Sequence, residues 1–198
     1  MKTTRLEAFS DGVIAIAITI MVLELKAPGG RSLESLRPLA HTFGAYIFSF
    51  VHIGIYWNNH HHMLHATESV NGRILWANLH LLFWISLMPF TTAWVGNTDL
   101  APLPTAVYGL VLLGAAISFV LLQNAIIEHE GPDSCLKQAL GTPRKEMITL
   151  AIYVLGIGMA WVNSWISAAC YAAVAAMWFT PDPRIERMSA QSADDVTP

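Results

Sequence analysis

The sequence predicts an all-α membrane protein with six transmembrane helices, and three observations carry that reading. Hydrophobic residues fill 54% of the 198 positions and charged residues only 13%, about half the roughly 25% found in soluble domains. The mean hydropathy is +0.47. The apolar residues are gathered into long runs, and short segments rich in proline, glycine and asparagine separate those runs.

The first run extends from about Glu7 to Leu25 and ends at Pro28-Gly29-Gly30, a strong break. Read instead as a cleaved signal peptide, it would carry Asp11 near the start of its apolar region and Glu24 near its end, which fits that reading poorly. The second begins after Pro38, a residue suited to a first helical turn, and runs to about Asn59 before His60-His61-His62-Met63-Leu64-His65. The third covers Ile74 to about Val95, with a kink expected at Pro89. The fourth covers about Pro104 to Ile127, and a polar loop follows from Glu128 to Lys145.

From Met147 to Phe179 the chain is apolar for 33 residues. One span takes about 20, so this stretch is read as two short spans turning at Asn163-Ser164. Residues 1–180 then form a single six-helix transmembrane domain, and residues 181–198 a short polar tail. With both ends cytoplasmic, the inside holds Lys2, Arg5, Arg73, Lys137, Arg144, Lys145, Arg184 and Arg187, against Lys26, Arg31 and Arg37 outside. The excess of inside positive charge favours that orientation, in the cell membrane.

Polar residues then collect at the inner end: Ser10 and Asp11, Asn58 to His61, Asn78 and His80, Gln123 and Asn124. Inside a membrane such groups need partners, so an interhelical network is expected there, and the outer halves of the spans read as much less polar. Arg5 and Asp11 stand roughly 240° apart on a helix, too far round to pair with each other. A histidine or asparagine of another span is the expected partner of Asp11.

At about 100° per residue, Ile16, Thr19, Ile20 and Leu23 fall at roughly 0°, 300°, 40° and 340°, one stripe of the first helix. Such a stripe serves either as a helix-packing seam or as the wall of a narrow apolar constriction. The cluster of His60, His61, His62 and His65 is open to three readings: a metal site, a pH-responsive element, or an amphipathic helix end at the membrane surface. No carboxylate or cysteine accompanies it at ligand spacing. Ala168, Ala172 and Ala176, like Gly114 and Ser118, repeat at small-xxx-small spacing that lets helices approach closely. Trp57, Trp76, Trp94, Trp161, Trp165 and Trp178 lie at or near span ends, as an aromatic belt requires.

The net charge of −3 argues against a nucleic-acid partner. Cys135 and Cys170 lie in a polar loop and an apolar run, so neither a disulfide nor a metal site is expected. Phosphate loops, nucleophile elbows and His-Glu-x-x-His are absent, so no enzymatic activity and no cofactor are expected. The Thr-Val-Gly-Tyr-Gly filter of conventional potassium channels is absent too.

Arg5-x-x-x-Phe9-Ser10-Asp11-Gly12, leading into the Ala-Ile-rich helix with Thr19, resembles the first-helix signature of the transmembrane protein 175 family of lysosomal and prokaryotic potassium channels. Trp57-x-Asn59-His60-His61 is similar to that family's second-helix motif, and Leu87-Met88-Pro89-Phe90-Thr91-Thr92 to its third-helix ending. These motifs, in matching order, cover about half the chain.

The resemblance implies a potassium-preferring cation channel, passive and embedded in the lipid bilayer, with other monovalent cations passing more weakly. Ile16, Ile20 and Leu23 would form the constriction and Thr19 a hydroxyl layer. Phe9, Ser10 and Asp11 would brace the pore rather than line it, with Arg5 and Asp11 tied to Trp57, Asn59 and His60 or His61. One pore helix per chain implies a homotetramer, and Glu24 would then place four carboxylates near the outer mouth. The rival reading is a proton-coupled or metal-ion transporter that uses Asp11 and the cluster from His60 to His65.

Overall fold

The computed structural model describes residues 3–131, 134, 136, 137 and 144–179; Cys135 and the expected tail of residues 181–198 lie outside them. Among the described residues all the regular secondary structure is helical. Helix α1 covers Thr3–Met21 and tightens into a 3-10 turn at Val22–Glu24. A second 3-10 segment, Leu33–Leu39, carries Pro38 and feeds directly into α2, Ala40–His65. Helix α2 is therefore longer than expected, and the histidine cluster is its last turns rather than a segment beyond it.

Asn71 caps α3, Gly72–Ser86, its Oδ1 accepting from the Ile74 amide at 2.9 Å, which satisfies one of the free donors at a helix start. Pro89 has no amide to offer the Ile85 carbonyl. The helix breaks at Leu87 and resumes as α4, Met88–Asn97, so the expected kink is present. Helix α5, Pro102–Glu130, starts on a proline and closes at Gly131, whose φ of 96° suits only glycine without strain. The final pair, α6 (Arg144–Met159) and α7 (Ser164–Phe179), turns where expected, with Asn163 Oδ1 accepting from the Trp165 amide at 2.9 Å.

Four helical stretches are long and apolar enough to cross a membrane: Thr3–Glu24, Leu33–His65, Gly72–Asn97 and Pro102–Glu130. This is a multi-pass membrane protein. Helices α6 and α7 have 16 residues each, about 24 Å of helix against a hydrocarbon core of about 30 Å. By length, four of the six expected spans stand.

Helix α5 is the hub, packed on α3, α4, α6 and α7, while α1 packs on α2, α3 and α4. Close approach depends on glycine at three places, one of them Gly96, where a methyl group would come within 2.8 Å of the Thr42 Cα. A methyl group at Gly114 would run into the Trp84 ring, and one at Gly109 or Gly156 into Tyr171. The expected alanine stripe of the last helix plays no such part. Ala172 and Ala176 are exposed, and the buried face is Ser167, Tyr171 and Val174. Helix α7 is rotated so that Ser167, Tyr171 and Val174, rather than the alanine stripe, face the core.

Candidate pore wall and its bracing contacts

Helix α1 has two faces of opposite fate. Leu6, Ser10, Ile14, Ala17 and Met21 are buried against the rest of the chain, at the three- and four-residue spacing of one helix face. The other face is bare. Ile16 is 57% exposed, Ile20 46% and Leu23 74%, although all are large and apolar. Phe9, seven residues before Ile16 and so about two turns away on the same line, is 52% exposed. Phe9 therefore does not brace the helix within the chain, contrary to expectation; it extends the bare stripe.

Thr19 lies on this face, and its hydroxyl is 3.0 Å from the carbonyls of both Ala15 and Ile16. A hydroxyl has one proton and two lone pairs. With the proton turned back to the helix, the oxygen offers its lone pairs outward, as a cation ligand must.

Behind the helix, the polar residues are joined, though not as one network. Asn78 is the centre of the buried part. Its Nδ2 donates to Ser10 Oγ at 2.9 Å, and its Oδ1 accepts from His60 Nε2 at 2.7 Å. Ser10 in turn donates to the Leu6 carbonyl at 2.8 Å. Ser10, Asn78 and His60 are wholly buried, so this chain ties α1, α3 and α2 where water cannot compete.

Among the described residues Asp11 is bonded to neither a histidine nor an asparagine. Its Oδ1 accepts from Trp57 Nε1 at 2.9 Å, so Trp57 is a partner of α1 and not simply an interfacial residue. His61 Nδ1 lies 2.9 Å from Glu7 Oε1, and its ring stacks with those of Trp57 and His65. His60 and His61 thus both join α2 to other elements, through different partners.

Two expected members do not take part. Asn59 Nδ2 donates to the Ile55 carbonyl of its own helix. Arg5 is exposed and, among the described residues, forms no bond with Asp11, Trp57, Asn59, His60 or His61. Elsewhere at this end, His80 links Trp84 Nε1 to Ser118 Oγ at 3.1 and 3.0 Å. Arg73 pairs with Glu128. Asn124 is exposed.

Sequence reasoning missed a second polar cluster, deeper in the bundle. Ser49 Oγ lies 3.0 Å from Tyr108 Oη and 2.7 Å from Thr92 Oγ1, all buried, joining α2, α5 and α4. The opposite halves of the helices are therefore less bare than expected. The available signal was a serine inside an apolar run, since a buried hydroxyl needs a partner.

The sequence model of the family described as endosomal/lysosomal potassium channel TMEM175 matches residues 5–89. The chain is 54% identical to the potassium channel HX13_20290 of a Chryseobacterium strain, over 94% of this chain and 97% of that protein. It is 30% identical to the potassium channel Cha6605_3372 of Chamaesiphon minutus, over 90% and 93%. The crystal structure of a Chamaesiphon minutus homolog of the lysosomal potassium-selective channel TMEM175 matches with a TM-score of 0.73 at 29% identity, covering 89% of this chain and 95% of that one.

Proposed function

Since the chain belongs to the TMEM175 family, a family of ion channels and not of enzymes, we propose that it conducts potassium passively as a homotetramer. Four copies of α1 line the central pore in this reading, with six spans per subunit and both termini on the cytoplasmic side of the cell membrane. Ile16, Ile20 and Leu23 form stacked aliphatic rings that dewet when narrow, and Thr19 supplies the hydroxyl layer between them.

The observation that supports this most is the bare apolar stripe of α1, with the Thr19 hydroxyl set in it, opposite the one face that is buried against the rest of the chain. The bilayer could cover such a stripe, but lipid has no use for an outward-facing hydroxyl oxygen. The contacts of Ser10 with Asn78 and of Asp11 with Trp57 fix the rotation of α1, so they act as positioning contacts and not as ion ligands. That assigns Asp11 and the histidines a bracing role, in place of the relay that a coupled transporter would need.

The test is current through purified protein in a planar bilayer, with potassium on one side and sodium on the other. A reversal potential displaced toward potassium equilibrium is expected. Thr19→Ala is expected to move it several-fold toward equal permeability, because aliphatic rings alone offer no oxygen to replace the hydration shell. An unchanged reversal potential in Thr19→Ala removes the hydroxyl layer from the account.

A further inference from the structure

At the end of the bundle opposite the Ser10, Asn78 and His60 chain, a cavity of about 260 Å³ lies between the starts of α2 and α7, the turn joining α4 to α5, and α5 itself. An apolar cavity of about 150 Å³ is already large enough to take up benzene. Ala40, His41, Gly44 and Trp165 are exposed and form its mouth, and Ser49 and Tyr108 are buried at its inner end. From His41 to Ser49, α2 advances eight residues, about 12 Å of helix. One leaflet of a hydrocarbon core of about 30 Å offers roughly 15 Å, so the cavity is nearly as deep as a lipid chain is long.

Its wall suits hydrocarbon better than water. Ala45, Phe48, Val95 and Leu100 are apolar, and the lining hydroxyls are already bonded within the chain. Ser49 Oγ is 3.0 Å from Tyr108 Oη, Tyr171 Oη donates to the Thr105 carbonyl at 3.3 Å, and Thr105 Oγ1 donates to the Ala101 carbonyl at 2.9 Å. Water holds its place in a cavity by bonding polar groups that lack partners, and this wall offers few. The surface around the mouth is apolar as well: Phe43, Ile47, Trp161 and Ile166 are exposed. In a membrane protein such a surface meets the bilayer.

The turn at the mouth is strained. Asp99 and Leu100 have φ of 50° and 58°, in the left-handed region that residues other than glycine seldom enter. The Leu100 amide is held by the Val95 carbonyl at 3.2 Å. The result is that Leu100 lies on the cavity wall, while Asp99 Oδ1 comes within 2.9 Å of His41 Nδ1 at the mouth. Strain kept by its surroundings gathers at ligand sites.

We propose that this cavity is a phospholipid site. One acyl chain lies between α2, α5 and α7 with its end against Ser49 and Tyr108, and the headgroup stays outside at the pair of His41 and Asp99. A headgroup that carries both a phosphate and an amine cation matches a rim that offers both an imidazole and a carboxylate. A free fatty acid has only an anion and matches only His41.

The test uses the full chain in phosphatidylcholine liposomes doped with a phosphatidylcholine that carries a diazirine at the end of one acyl chain. After illumination the labelled residues are mapped by peptide mass spectrometry. Label is expected inside the cavity, on Phe48, Tyr108 or Tyr171. A methyl group at Gly44 meets no atom within 4 Å, so Gly44→Phe enters without moving the backbone and closes the mouth. It is expected to cut the internal label at least tenfold, with no change at Val154 and Leu155, which are exposed on α6. Gly44→Ala is expected to label like wild type. Added phosphatidylcholine is expected to raise the melting temperature of the detergent-solubilised wild type and not that of Gly44→Phe.

Wild-type label confined to outward-facing residues overturns the proposal, and is the result given by a second copy of the chain covering the mouth. Equal internal label in wild type and Gly44→Phe overturns it too. So does label that oleate displaces in detergent while unlabelled phosphatidylcholine does not, which assigns the cavity to a fatty acid. Should Gly44→Phe fail to fold, the wild-type map and the competition decide. None of these readings involves ion current, so failure of the lipid site and failure of the channel reading are distinguishable.

Discussion

Replacing Ile16 by asparagine is expected to raise single-channel conductance about fivefold. In the proposed tetramer the substitution turns an aliphatic ring into four amides at a constriction whose barrier would be the cost of stripping water from the ion. Lowering that barrier by about 1 kcal/mol gives roughly a fivefold gain in rate. Ile16 is 57% exposed in the isolated chain, so the change disturbs little of the packing inside the subunit. Asparagine at Ile14, only 1% exposed on the opposite face, is expected to damage the fold instead. Single-channel recording in planar bilayers checks both. Equal conductance in Ile16→Asn and wild type means that Ile16 is not at the constriction.

Asn78→Leu is expected to cause the largest loss of stability. Asn78 supplies two bonds at once, one to Ser10 and one to His60, and all three residues are wholly buried. Leucine leaves the His60 Nε2 proton without an acceptor, which costs about 1–3 kcal/mol by itself, and it releases α1 from α3. Thermal unfolding in detergent is expected to move to a clearly lower temperature, with loss of the monodisperse tetramer on gel filtration. Wild-type melting in Asn78→Leu would mean that the bridge does not hold the pore helix.

The parts of this architecture legible in the sequence are those set by local chemistry. Pro28-Gly29-Gly30 keeps the chain from resuming a helix after the first one has closed at Glu24, Pro89 splits the third span and Asn163-Ser164 turns the last pair, because proline, glycine and a capping asparagine act on their own backbone. The bare stripe of α1 was legible as well, since helical periodicity alone puts Ile16, Thr19, Ile20 and Leu23 on one line.

Pairing across helices was not legible, because it depends on how each helix is rotated about its axis. By pattern alone Asp11 could have met any polar side chain at that end; the family resemblance named Trp57 among its partners, and the rotation of α2 presents it. The same rotation turns Asn59 back onto its own helix. Phe9 belongs to a three-residue motif with Ser10 and Asp11, yet successive residues point about 100° apart, and the three have different surroundings. The alanines of α7 match a packing pattern, but two glycines, at 109 and 156, make the room that Tyr171 fills. Ser49 and His52 were hidden in an apolar run, where a single polar residue gives no period to read.

The central claim is that the exposed face of α1 is the pore wall, and cysteine scanning with silver ions tests it most directly. In a background without Cys135 and Cys170, single cysteines are placed from Ile14 to Leu23 and potassium current is recorded while silver is applied. Rapid block is predicted at Ile16, Thr19, Ile20 and Leu23, with protection at Ile14, Ala17 and Met21. Block without helical period, or block confined to the buried positions, would contradict it.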